Sequence, residues 1–150
     1  MKKLFFLCLI CLLAVSAMAQ NSVWVDLGLP SGTLWKSTNE KGFYYTYDEA
    51  VSQFGDKLPT REQFAELQAF CTWTWNGKGY VVKGDNGNSI VLQVAGYRDC
   101  YGYVFVGTFG YYWSSTPRDS DGAWGLDFSS GVVYMYDYDR CYGRSVRLVQ

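Results

Sequence analysis

The sequence predicts an α+β domain, with two helices packed on short, mostly antiparallel strands joined by long loops. Three observations carry that reading. Two capping boxes stand close together in the first half of the chain, Thr46 to Glu49 and Thr60 to Gln63. From Thr72 onward, β-branched and aromatic runs alternate with Gly, Asn, Asp and Ser turns. No internal repeat, linker or low-complexity tract divides the chain.

The elements follow in order. Met1-Lys2-Lys3 is a short basic start, Leu4 to Val15 is apolar, and Ser16-Ala17-Met18-Ala19 is a small-residue tail. That pattern is a secretory signal peptide over residues 1–19, with cleavage expected between Ala19 and Gln20. The apolar run stops short of the roughly 18 residues a spanning helix needs. Cys11 follows Cys8-Leu9-Ile10 rather than small residues, which argues against a lipid anchor. The expected location is outside the cell or in its envelope, in the periplasm or at the cell surface. Residues 20–150 then form one domain of ordinary size.

Val23 to Asn39 reads as a hairpin around Pro30-Ser31-Gly32, with Trp24 and Trp35 packing inward. The first helix runs from the Thr46 box toward Gly55. Pro59 separates it from the second, whose Phe64, Leu67 and Phe70, with Cys71, form a core-facing stripe. Asp85-Asn86-Gly87-Asn88 joins two β-type runs as a turn. Its oxygens would suit calcium, but no bidentate Glu follows, so no metal site is expected. The stretch from Tyr101 to Pro117 is Gly-rich and aromatic, which suggests tight turns or close strands. A hairpin around Ser129-Ser130-Gly131 comes next, and Ser145 to Val149 reads as a closing strand.

Composition narrows the function. Without Lys2 and Lys3, 11 of the 13 basic residues face 14 acidic ones, a net charge of about −3. No basic patch is visible, so nucleic acid and anionic membrane are poor partners. An aromatic share of 19% argues against a disordered chain. Histidine is absent, which removes Ser-His-Asp and Cys-His catalysis and His-ligated metals. Asp119 with Asp121, and Asp137 with Asp139, offer carboxylates, but no nucleophile and base can be paired. The chain reads as a non-enzyme with no cofactor. Cys71, Cys100 and Cys141 remain after export, enough for one disulfide and one thiol.

The most suggestive stretch is Val132 to Gly143. On a regular strand, Tyr134, Tyr136, Tyr138, Arg140 and Tyr142 share one face, while Met135, Asp137, Asp139 and Cys141 share the other. Cross-strand packing accounts for Tyr134. Tyr beside Arg, Asp, Ser and Gly is also the chemistry of binding loops. The candidate ligand-binding residues are Tyr136, Asp137, Tyr138, Asp139, Arg140 and Tyr142, with Arg118 and Asp119.

"VDLGLPSGTLW", "LPTREQFAEL" before "CTWTW", "GNSIVLQVAGYR", "YYWSST" and "RSVRLV" occur here in that order. This ordered set resembles the Fibrobacter succinogenes major paralogous domain, common in exported proteins of gut Bacteroidetes. The resemblance implies a C-type-lectin-like fold, shared with formylglycine-generating enzymes and retroelement-diversified proteins. It carries no agreed catalytic residues. The Glu-Pro-Asn, Gln-Pro-Asp and Trp-Asn-Asp triplets of calcium-dependent lectins are absent. In diversified relatives the variable residues precede the last strand, which here means about Trp124 to Gly143. The cysteine before "TWTW" is usual in the family, so Cys71 is expected reduced. Cys100 and Cys141 depart from the pattern, and two departures imply a Cys100–Cys141 disulfide. The expected function is an exported, non-catalytic module that binds a protein or peptide at the cell surface. The alternatives are a glycan-binding module and a structural component of a surface assembly.

Overall fold

A computed structural model describes residues 23–150. The expected signal peptide and its cleavage site lie outside the described residues. Strands β1 (Trp24–Asp26) and β2 (Leu34–Lys36) pair antiparallel, with Val25 opposite Trp35. Trp35 is fully buried, and Trp24 packs half-buried at the edge of a second core.

Both helices start where their boxes place them. Thr46 caps α1 (Tyr47–Phe54), its hydroxyl accepting from the Glu49 amide while Glu49 accepts from the Thr46 amide. Thr60 and Gln63 do the same for α2 (Arg61–Phe70). Each box satisfies two otherwise orphaned N–H groups. Gly55 ends α1 at φ 53°, a left-handed value that costs glycine little. Phe64 and Leu67 of α2 are fully buried, as their spacing predicts. Phe70 is not part of that stripe, because α2 ends there and turns into β3, leaving the ring 51% exposed. Cys71 is half-buried and carries a free thiol.

Strands β3 (Thr72–Trp75), β4 (Gly79–Lys83) and β5 (Ser89–Gln93) form one antiparallel sheet. Its β4–β5 turn uses Gly87 at φ 90°. The Asn86 and Asn88 amides there donate to the Asp26 carbonyl, tying the turn to β1. A short pair, β6 (Tyr97–Arg98) and β7 (Val104–Phe105), projects from the chain next. Strands β8 (Gly110–Pro117), β9 (Gly122–Ser129) and β10 (Val132–Asp139) form a meander in the order β10-β9-β8. Ser130-Gly131 is its two-residue turn, with Val132 opposite Ser129. The molecule is therefore α+β, mostly strands, with several small antiparallel sheets.

The meander separates two cores. Tyr112, Leu126 and Phe128 face the first, against Phe64 and Leu67 of α2 and the β4–β5 side chains. Trp113 and Ala123 face the second, against Tyr47 and Ala50 of α1 and Val146 and Leu148. Alternation along β8 and β9 puts these sets on opposite faces. The closing strand expected over residues 145–149 is instead an extended segment without a continuous ladder. It makes isolated bridges to several elements: Arg144 with Tyr45, Gly143 with Arg98, Ser145 with Tyr112, and Val149 with Trp35. Every residue from Gly143 to Val149 is buried. The segment threads between elements, so its hydrogen bonds are spread among them.

Candidate functional site

The pleat of the β8-β9-β10 meander builds an aromatic face. Register places Tyr111, Asp127 and Tyr134 in one row, and Trp113, Gly125 and Tyr136 in the next. Tyr138 follows beside Ala123. Helix α1 covers the Trp113 and Ala123 end. The other end is open, with Tyr136 52% and Tyr134 38% exposed. The rings touch in series: Tyr134 with Tyr136, Tyr136 with Tyr138, and Tyr138 with Tyr111 and Tyr142. Tyr111 stacks on Phe109, and Tyr142 meets Tyr97, which stacks on Phe105. Aromatic pairs of this kind contribute about 0.5–1.5 kcal/mol each beyond their buried area.

A buried ion pair supports the rings from below. Arg144 Nη1 donates to Asp127 Oδ1 at 2.9 Å, with both side chains almost fully buried. The Arg144 guanidinium sits 3.7 Å from the Tyr138 ring centre and 4.7 Å from that of Trp113. Gly125 makes the room. A Cβ there would lie 2.5 Å from Arg144 Nη1 and 2.6 Å from the Tyr112 carbonyl. Burial pushes the Asp127 carboxyl up and the Arg144 guanidinium down, and each charge is the other's main counterweight. The Tyr138 hydroxyl approaches the carboxylate without good hydrogen-bond geometry, so Asp127 Oδ2 has no protein partner. Burial first, and then the Asp127 charge, raises the Tyr138 phenol, so it stays protonated at neutral pH.

The β6–β7 hairpin extends this surface. Residues 101–109 are all exposed, with Tyr101 at 88%, Val106 at 78% and Tyr103 at 70%. Its tip is nevertheless held. Asp99 Oδ1 accepts from the Tyr101 and Tyr103 amides, both at 2.9 Å. Cys100 is disulfide-bonded to Cys141, with a Cα separation of 5.0 Å. The predicted disulfide is therefore present, and it pins the hairpin to the end of β10.

The charged candidates gather at the far end of β10, most of them on the other side of the strand. Arg118 Nε donates to Asp119 Oδ2 at 2.8 Å, and Arg118 Nη1 donates to Asp137 Oδ2. Arg140 Nη2 donates to the Asp119 carbonyl at 2.6 Å and lies over the Tyr47 ring. Asp139 is exposed and makes no ion pair among the described residues. Arg118, with the Asp121 and Gly122 amides, holds the Asp119 carboxyl down to about 2 from an ordinary 3.8. Because the folded value is depressed, this turn's contribution is whole above about pH 4 and is lost as pH falls through about 2. We expect the Asp119 carboxyl carbon to titrate by NMR with a midpoint near 2. A midpoint at the ordinary 3.8 would show that the Arg118 contact does not persist in solution.

The sequence candidates thus fall on two surfaces. Tyr136 stands free, whereas Tyr138 and Tyr142 are half-buried against the second core. Asp137 and Asp139 face the other way, and Arg118 and Asp119 join them, whereas Arg140 stays on the tyrosine side, over the Tyr47 ring and paired with Asp48. Sequence reasoning missed Tyr101, Tyr103, Phe105, Val106 and Phe109. Their signal was a charge-free run from Cys100 to Pro117, too polar in its Tyr and Gly content for a core strand. A cleft of about 620 Å³ between residues 37–43 and β5 lies elsewhere. Arg147 sits in its wall, and its donors are spent on Asn39 and on the Lys36, Ser37 and Val91 carbonyls.

Fold and surface together define an α+β domain built around an exposed, disulfide-pinned aromatic sheet face. Residues 73–149 match a family described as a domain of unknown function, DUF8237, and the chain belongs to that family. The matched span runs from β3 to the closing segment and holds every candidate residue named above. No curated protein and no solved structure matches the chain.

Proposed function

We propose that this protein is an exported, non-catalytic module that binds a protein or peptide on its aromatic face and the adjoining hairpin. The observation that carries this reading is preorganisation of exposed rings. Tyr101, Tyr103, Tyr134 and Tyr136 are solvated, yet the elements beneath them are fixed by a disulfide, an Asx turn and a buried ion pair. Ordering loops and side chains on binding costs affinity, and a fixed scaffold reduces that cost. Tyr and Arg are the residue types that dominate interface energetics. A disulfide fits an oxidising compartment. No helix of the described residues is long and apolar enough to cross a membrane.

We place the domain, as part of the same proposal, in the C-type-lectin-like fold and with the Fibrobacter succinogenes major paralogous domains. Its order of hairpin, two helices and short strands supports this. Diversification of the region around Trp124 to Gly143 belongs to the proposal too, because Tyr136 and Asp139 stand exposed within it.

Binding partners are to be sought by pull-down on envelope and host proteins, with a glycan array in parallel. Tyr136→Ala and Tyr101→Ala are each expected to weaken binding about thirtyfold, the equivalent of roughly 2 kcal/mol for an anchor residue. Tyr101→Ala is not expected to change the melting temperature by more than about 2 °C, since exposed substitutions cost little, whereas Tyr136→Ala also gives up its contacts with Tyr134 and Tyr138 and should lower it by several degrees while the domain stays folded. Tyr138→Ala and Tyr142→Ala should cost stability as well. Glycan binding without protein binding would replace this reading with the glycan alternative. Unchanged affinity in both exposed-ring variants would remove the face from the function.

A further inference from the structure

The geometry points to strand addition: an extended, basic peptide segment of the ligand pairs with the open outer edge of β10. This rests on the recognition reading above and deepens it. Two facts fix which backbone groups of β10 face outward. Val132 lies opposite Ser129 across a two-residue turn, and the Arg140 amide donates to the Asp121 carbonyl. Val132, Tyr134, Tyr136, Tyr138 and Arg140 therefore direct their amides and carbonyls at β9. The residues between them direct theirs away from the sheet. At the two ends the outward carbonyls are used: Val133 accepts from Gln68 Nε2 at 3.4 Å, and Asp139 from the Tyr142 amide at 3.2 Å. Between them, the amides and carbonyls of Met135 and Asp137 have no partner among the described residues.

That opening stands out against the other long edges. On β8, the Trp113 amide donates to the Ser145 carbonyl, the Ser145 amide to the Tyr111 carbonyl, and the Ser115 amide to the Pro59 carbonyl. On β5, the Tyr112 hydroxyl bonds both the amide and the carbonyl of Gln93, and Arg147 takes the Val91 carbonyl. Strand β3 is also open, but it is four residues long and turns Trp73 and Trp75 toward the first core. Proteins usually cover or blunt long edges, because an open edge is a template for another strand. Here the eight-residue β10 is left open beside the exposed rings.

Strand addition also explains why the candidates lie on both sides of the sheet. A strand laid along β10 sends alternate side chains to opposite faces. One set reaches Tyr134 and Tyr136 and suits apolar or aromatic residues. The other set reaches Asp137 and Asp139 and suits Lys or Arg. Charge selects the occupant. At this end of the strand, Asp119, Asp121, Asp137 and Asp139 stand against Arg118 and Arg140, and Asp121 and Asp139 make no ion pair among the described residues. A second copy of the chain would bring the same acidic excess to the edge, whereas a basic segment neutralises it.

The test uses protein secreted from cells expressing the full chain and a phage-displayed library of random linear peptides as probe. Selected peptides should alternate basic with apolar or aromatic residues. On saturation, amide exchange at Met135 and Asp137 should slow at least about tenfold, the scale of one well-formed hydrogen bond. N-methylation of the peptide backbone should lower affinity at least about tenfold at alternate positions in one phase and little in the other. Peptides that need Tyr136 but leave both amides unprotected would overturn strand addition and leave the aromatic-face reading standing. Peptides indifferent to Tyr136→Ala and Tyr101→Ala that still protect the edge would do the reverse. Recovery of no peptide overturns the peptide ligand altogether.

Discussion

Asp127→Ala and Arg144→Ala are each expected to lower the unfolding free energy by about 3–5 kcal/mol, the cost of orphaning one charge of a buried pair. Both side chains are almost fully buried, and Arg144 Nε and Asp127 Oδ2 already lack a protein partner. Truncating Asp127 leaves the guanidinium with the Tyr138, Trp113 and Tyr111 rings to offset its desolvation. Truncating Arg144 leaves a carboxylate among tyrosines, where protonation is its one escape. The double variant Asp127→Leu with Arg144→Met should be less destabilised than the two losses summed, because it removes both charges at once. Urea denaturation of the four proteins measures the coupling. Single-variant losses below about 1 kcal/mol would mean that water reaches the pair, since exposed pairs contribute only that much.

How far the sequence foretold this pair is instructive. "RSVRLV" is conspicuous in the chain, and two arginines in an apolar closing segment are unusual. Residues three apart cannot by themselves say what they neutralise. Arg144 meets an aspartate on β9, and Arg147 meets Asn39 and the Val91 carbonyl. Those partners lie 17, 108 and 56 positions away, and only the tertiary fold brings them in. Local chemistry was legible for the opposite reason. Each capping box, and the Ser130-Gly131 turn, is settled by residues a few places apart. Alternation along β10 likewise separated the tyrosines from Met135 and Asp137. What alternation could not show is which face α1 covers, and so that Tyr138 is half-buried while Tyr136 is free. The β6–β7 hairpin was illegible because two-residue strands leave almost no period to read. Phe70 was misplaced because helical spacing continues past the point where a helix leaves its core.

Replacing both Cys100 and Cys141 with serine is expected to lower the unfolding free energy by up to roughly 4 kcal/mol in the chain-entropy account. The bond joins residues 41 positions apart, and a cross-link between such distant points removes much of the freedom of the unfolded chain. The local effect should exceed the global one. Two residue pairs hold β6 to β7, and Arg98 bridges Gly143 through backbone hydrogen bonds in both directions. Without the disulfide those few bonds are left to keep the hairpin against the end of β10. Amide exchange in residues 99–106 should therefore quicken at denaturant concentrations where the β8-β9-β10 ladder stays protected, the signature of local rather than global opening. Asp99 keeps its own turn, so Tyr101 and Tyr103 would stay on a formed tip that has lost its fixed relation to Tyr136. Affinity for any ligand spanning both should then fall even where the domain remains folded. Peptide mapping without reduction fixes the starting point: a Cys100–Cys141 linked pair and an alkylatable Cys71 are expected. Free thiols at residues 100 and 141 in the exported protein, or exchange in residues 99–106 that is unchanged in the double variant, would show that the hairpin is held by its hydrogen bonds and ring stacking alone.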